Sequence, residues 1–130
     1  MKKLLQTVTL FITGGLLYGL TEILWRRRTH WSMILTGGIC FCVLYHIFKA
    51  IKNYSVWFKC FIGSIVITIT EFLAGFVFNY RMGLSVWDYS DHRLNFCGQI
   101  CLLYSFLWGL LTLPVLVLCS FIGKCKAFTD

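Results

Sequence analysis

The chain has 130 residues, of which 58% are hydrophobic and 13% are charged, and its formal net charge is +7. A soluble domain carries about a quarter charged residues, so this composition excludes an ordinary soluble protein and indicates one embedded in lipid. The basic residues lie in short clusters between apolar runs, as topology signals and lipid headgroups require. We therefore expect membrane lipids as partners, and we exclude nucleic acid.

Four apolar runs predict transmembrane helices at about residues 4–25, 31–48, 56–79 and 96–122. Each run has about the length that crosses a hydrocarbon core of roughly 30 Å. The first run follows Lys2 and Lys3 as a signal peptide would, but it contains Glu22 and lacks a small-residue cleavage pattern. We predict that it is retained, and that residues 1–130 form a single all-α transmembrane domain.

The seven cysteines lie within or beside the apolar runs, and no Cys-x-x-Cys pair occurs among them. A buried thiol behaves as a small hydrophobe. We expect neither a disulfide framework nor a metal site, and no cofactor.

Four crossings place the N-terminus, the second connection and the C-terminus on one side of the membrane. That side carries seven lysines, and the other side carries five arginines. The positive-inside rule then favours both termini in the cytoplasm, and we expect a bacterial cytoplasmic membrane. The small difference between the sides leaves dual insertion open.

An internal repeat links the two halves of the chain. Thr21-Glu22-Ile23-Leu24 recurs as Thr70-Glu71-Phe72-Leu73, and this alignment also matches Gly14 with Gly63. Each repeat would be a helical hairpin, and two hairpins joined in series have the same orientation. The repeat predicts that both glutamates lie at similar depth in helices that run the same way.

Glu22 and Glu71 are the candidate ion-binding residues, because a carboxylate in hydrocarbon is costly and is by default a functional-site hypothesis. Two carboxylates in one apolar site would titrate as a pair, which suits a proton- or cation-linked step. The alternative is that each is neutral or paired and only holds helices together. Small residues favour close helix packing around them; the candidates are Gly15, Gly19, Gly75, Gly98 and Gly109.

Two further groups lie on the side of the first and third connections. Arg26, Arg27 and Arg28 either snorkel to headgroups or contact an anionic substrate or headgroup at a gate. The polar connection after the third run either forms capped turns or covers the glutamates as a lid. Its candidates are Trp87 at the gate, with Asp88, Tyr89 and Asn95 as substrate- or ion-binding residues.

The second half also contains a series of motifs: Glu71-Phe72-Leu73-Ala74-Gly75, Trp87-Asp88-Tyr89-Ser90, Asn95-Phe96-Cys97-Gly98 and Trp108-Gly109. This series resembles the family called putative ABC-transporter type IV, the CmpB-type permeases. Glu22 fits the glutamate of that family's first helix. The resemblance implies a permease-like membrane protein in which ATP-driven transport would need a separate ATPase subunit.

Three functions remain open at this point. The first is a small transporter or permease, which we expect to be a homo-oligomer or to join a larger membrane partner because one chain offers little interior. The second is a scaffold or regulatory subunit without transport. The third is a lipid-modifying enzyme that uses Glu22, Glu71, Asp88 and His92 as acid–base groups, although no nucleophile motif supports it.

Overall fold

The computed structural model describes residues 1–27, 30–83, 93–98 and 100–124, without the side chains of Trp25, Arg26 and Phe96. In chain order, the elements are α1 (Lys2–Arg26), α2 (Trp31–Ala50), α3 (Val56–Ala74), a π-helical segment (Gly75–Arg81), β1 (Asn95–Phe96), β2 (Ile100–Cys101) and α4 (Leu102–Lys124). Four helices are long and apolar enough to cross a membrane, with α3 and the π-helical segment counted as one span. The predicted four-helix membrane fold is confirmed.

The chain divides into two compact units. The first unit comprises Met1–Tyr54 and Pro114–Asp130, and the second comprises Ser55–Leu113. The boundary within α4 falls at Pro114, which has no N–H to donate to the carbonyl of Leu110.

In the first unit, α1 and α2 pack as an antiparallel hairpin through glycines. A Cβ atom on Gly38 would lie 2.7 Å from the backbone oxygen of Phe11, and one on Gly15 would lie 2.8 Å from that of Ile34. Both distances are shorter than real Cβ contacts, so the helix backbones approach as closely as they do because these residues lack side chains.

Polar groups mark where these helices end and begin. At the end of α1, Arg27 has a left-handed backbone with a φ of 60°, and its N–H donates to the carbonyl of Ile23. The Nδ1 atom of His30 accepts from the backbone N–H of Ser32 and caps the start of α2. The hydroxyl of Ser55 accepts from the N–H of Phe58 and caps α3 in the same way.

In the second unit, α3 and the first part of α4 also pack in antiparallel fashion. Gly63 lies directly against the side chain of Thr112, which is fully buried. Gly109 faces Ser64 at an ordinary distance, since a Cβ there would lie 3.6 Å from the Cβ of Ser64. Each unit therefore contains an antiparallel pair of helices in contact.

Helix α4 begins at Leu102, six residues after the predicted start at residue 96. The intervening backbone turns instead of coiling, because Leu94, Cys97 and Gly98 all have positive φ angles. The strands β1 and β2 pair across this turn, with Asn95 opposite Cys101. The hydropathy pattern did not reveal the turn because four apolar residues of this segment, Phe96, Cys97, Ile100 and Cys101, extend the apolar run of the helix.

Candidate functional site

The carboxyl group of Glu71 lies inside the second unit and accepts a hydrogen bond from α4. Glu71 is only 4% exposed, and the indole Nε1 of Trp108 donates to its Oε2 atom over 3.0 Å. Trp108 is itself buried, and its ring contacts that of Tyr104 with centroids 6.0 Å apart. Polar side chains inside an apolar span usually pair with one another, and the hydrogen bond between Trp108 and Glu71 is such a pair.

Hydroxyl groups continue the polar contact between α3 and α4. The hydroxyls of Thr68 and Ser105 share a hydrogen bond of 2.8 Å, and Ser64 donates to the backbone oxygen of Ser105 over 2.6 Å. Thr68 lies one helical turn before Glu71, so these bonds and the glutamate occupy the same side of α3. The interface combines small residues with interhelical hydrogen bonds, as membrane helix pairs commonly do.

The helix that carries Glu71 changes its winding one turn later. The N–H of Gly75 contacts the backbone oxygens of both Glu71 and Phe72, and a π-helix follows to Arg81. π-Helical turns are rare and frequently occur at functional sites. The predicted packing residue Gly75 is buried at this junction.

Glu22 lies in the first unit and is also buried, with 8% of its surface exposed. The predicted packing residues Gly19 and Gly15 are buried on the same face of α1, about one and two turns before Glu22 respectively. Gly15 is in tight contact with α2 at Ile34. In the first unit, Glu22 therefore lies about two helical turns beyond a glycine-mediated helix contact.

The two glutamates have matching local surroundings. The threonine before each one donates its hydroxyl to the backbone oxygen four residues earlier, over 2.8 Å in both Thr21 and Thr70. The glycine eight residues before each one, Gly14 or Gly63, makes a helix contact too close for a Cβ atom. These pairs are the ones that the sequence repeat aligned.

Asn95 and Gly98 form the turn that precedes α4. The side-chain oxygen of Asn95 accepts from the N–H of Gly98 over 3.1 Å, and Gly98 is buried with a φ of 70°. This bond explains why the motif spaces an asparagine and a glycine three residues apart. Gly109 lies at the contact of α4 with α3, and Arg27 is exposed at the end of α1.

Several predicted site residues lie outside the described part of the chain: Arg28, Trp87, Asp88, Tyr89 and the side chain of Arg26. The lid and the arginine gate therefore stay predictions. A contact between Glu22 and Glu71 also stays a prediction, because the two residues belong to different units.

The sequence pattern placed Trp108 in the Trp108-Gly109 motif but did not predict its contact with Glu71. Other tryptophans lie at the ends of the apolar runs, as Trp31 and Trp57 do, where interfacial tryptophans are common. Trp108 lies within a run, and a buried indole N–H needs an acceptor. That position is the signal that could have identified it as a partner of an intramembrane acid.

The described residues contain no cluster of three or more His, Cys, Asp or Glu side chains that could hold a metal ion. Every buried side-chain nitrogen or oxygen atom in the described ranges has a hydrogen-bond partner. The polar interior of each unit is therefore satisfied by protein groups.

No curated protein and no solved structure matches the chain. A family model described as "Putative ABC-transporter type IV" matches residues 10–126, which include both glutamates and the Asn95–Gly98 turn. Together with the four apolar helices, this match identifies an integral membrane protein. The chain belongs to the putative ABC-transporter type IV family.

Proposed function

We propose that the chain is a small membrane transporter or permease-like subunit in which Glu22 and Glu71 take up and release a proton or a cation. The observation that carries the proposal is the burial of Glu71 against the indole N–H of Trp108 in a predominantly apolar span. A carboxyl group inside a membrane span costs free energy, so it is rare and almost always faces the protein interior. There it commonly marks an ion or proton pathway.

The similar settings of the two glutamates support a shared role. Each follows a threonine bonded to its own helix, and each lies two turns beyond a tight glycine contact. We propose that the two carboxyl groups act as a pair during transport. Asp88, Tyr89 and Asn95 would contribute to binding, and Trp87 with Arg26, Arg27 and Arg28 would contact anionic groups at one mouth.

The assembly that performs transport is larger than one chain in this proposal. A unit with one antiparallel helix pair encloses little interior, so a homo-oligomer or a larger membrane partner would complete the path. The family description names ABC transporters. If the chain is part of such a transporter, a separate subunit would hydrolyse ATP. Both termini would lie in the cytoplasm, which labelling of single cysteines from either side of intact cells would check.

The test is ion flux in proteoliposomes that contain wild-type protein, Glu22→Gln or Glu71→Gln. Flux is followed with a trapped pH indicator and, separately, with radioactive sodium. We expect wild-type flux of one ion and its loss in both variants. Thr7→Val is the control, because this exposed hydroxyl only bonds the backbone of its own helix.

Equal flux in wild type and both glutamine variants, at equal insertion, contradicts the proposal. A stable complex with a larger membrane protein, lost on mutation of the packing glycines while flux is unchanged, would instead support the scaffold function.

A further inference from the structure

Resting on the proposed function, we infer that the ion bound at Glu71 is a proton, which is carried on Oε1 while Trp108 holds Oε2. The proposed function left a proton and a metal cation as alternatives, and the proton is the one chosen here. Trp108 is the residue that positions the carboxyl group.

The hydrogen bond from Trp108 is compatible with both protonation states. The indole N–H only donates, and the Oε2 atom of Glu71 accepts it over 3.0 Å. An ionised carboxylate accepts such a bond through either oxygen, and a neutral carboxyl group accepts it through the oxygen that lacks the proton. The contact therefore survives a protonation cycle in which the proton occupies Oε1.

The same bond disfavours a metal ion. The indole nitrogen offers no lone pair to a cation, so the donor that occupies one acceptor position of Oε2 adds no ligand for a metal ion. A cation that took this acceptor position would leave a buried N–H without its acceptor, which is costly.

The hydroxyl groups near Glu71 are already bonded to one another and to the backbone. A hard metal ion takes about six oxygen ligands, so an ion that used these groups would have to break their hydrogen bonds. The hydroxyls of Thr68 and Ser105 share a bond of 2.8 Å, and Ser64 donates to the backbone oxygen of Ser105 over 2.6 Å. These atoms are arranged to bond each other.

The other titratable groups of the described second unit do not replace this chemistry. On the elements that pack against α3, they are Tyr80 of the π-helical segment, which is exposed, Cys101 of β2, which is buried, and Tyr104 of α4, whose ring contacts Trp108. The cations on the span of Glu71 are Lys59 and Arg81, which lie twelve and ten residues away along it. Each lies roughly two and a half helical turns or more from Glu71 along the span, so neither is a close partner along it.

The test is infrared difference spectroscopy of the full chain in lipid nanodiscs. A rise in pH removes the C=O band of each carboxyl group that loses its proton, and Glu71→Gln identifies the band of Glu71. We expect Trp108→Phe to retain this band but to move it to higher frequency, because the C=O group loses its hydrogen bond. The control Trp57→Phe, at an exposed tryptophan, should reproduce the wild-type band.

Sodium, potassium and magnesium chlorides are then added at fixed pH, with choline chloride maintaining the ionic strength. We expect no change in the Glu71 band. A monovalent cation that competes for the site would move the pH midpoint of the band by about one unit for each tenfold rise in its concentration.

Such competition would overturn the inference and leave the proposed function intact. The absence of a pH-dependent band from Glu71, or an unshifted band in Trp108→Phe, would also overturn it. A protonating Glu71 whose glutamine variant transports normally would instead contradict the proposed function.

Discussion

Trp108 donates its indole N–H to the carboxyl oxygen of Glu71 across the contact between α4 and α3, over 3.0 Å. Thirty-seven residues separate the two in the chain, and both are buried. This bond connects the acid to the neighbouring helix, so it bears on helix association as well as on ion binding.

A double-mutant cycle should measure this bond. We expect Glu71→Leu and Trp108→Phe to show a coupling free energy of about 1–2 kcal/mol, because each single change leaves the other group buried without its partner. The measurement is reversible unfolding in mixed micelles of wild type, both single variants and the double variant. A coupling below about 0.3 kcal/mol would mean that the bond contributes nothing to stability.

Gly63 and Gly109 should respond differently to alanine. A methyl group on Gly63 would lie 2.7 Å from the Cγ2 atom of the fully buried Thr112, whereas one on Gly109 would meet nothing closer than 3.6 Å. We expect Gly63→Ala to lower the free energy of unfolding by about 1–3 kcal/mol. Gly109→Ala should be neutral or slightly stabilising because alanine favours helix. Equal losses in the same unfolding assay would show that the two contacts do not differ as described.

The first unit offers a second matched pair, one glycine in the α1–α2 hairpin and one in α4. Alanine at Gly38 would place its Cβ 2.7 Å from the backbone oxygen of Phe11, which moves only with its helix. At Gly123 the nearest neighbour would be the hydroxyl of Tyr45 at 3.8 Å. We expect Gly38→Ala to lower the temperature at which the detergent-solubilised protein loses its helical circular dichroism. Gly123→Ala should match wild type, and a similar loss in both variants would contradict the prediction.

Substitutions of Asn95 should separate a turn-forming role from a binding role. Asn95→Asp keeps an oxygen that accepts from the N–H of Gly98, whereas Asn95→Ala removes it. We expect faster hydrogen exchange at the Gly98 amide, and a stability loss of about 1 kcal/mol, in the alanine variant only. If the aspartate variant keeps the turn but loses flux, Asn95 also contributes to the ion or substrate site.

The amino-acid sequence was enough to predict four spans, and it selected both buried acids. Hydropathy is a sum over neighbouring residues, so the apolar runs located α1, α2 and α3 closely. The start of α4 was predicted too early because the turn at Asn95–Gly98 depends on backbone angles and one side-chain bond. Neither feature changes the hydropathy of the run.

Other features depended on contacts between distant parts of the chain. Small residues at helical spacing indicated packing faces, yet their pattern could not distinguish the tight contact at Gly63 from the looser one at Gly109. The distinction depends on which side chain the partner helix presents. The sequence by itself determined that two acids lie within apolar spans, because that position depends only on the residues next to them in the chain. Only the tertiary structure decided that Glu71 bonds Trp108, because a hydrogen bond requires two atoms from separate helices to meet at a fixed distance and angle.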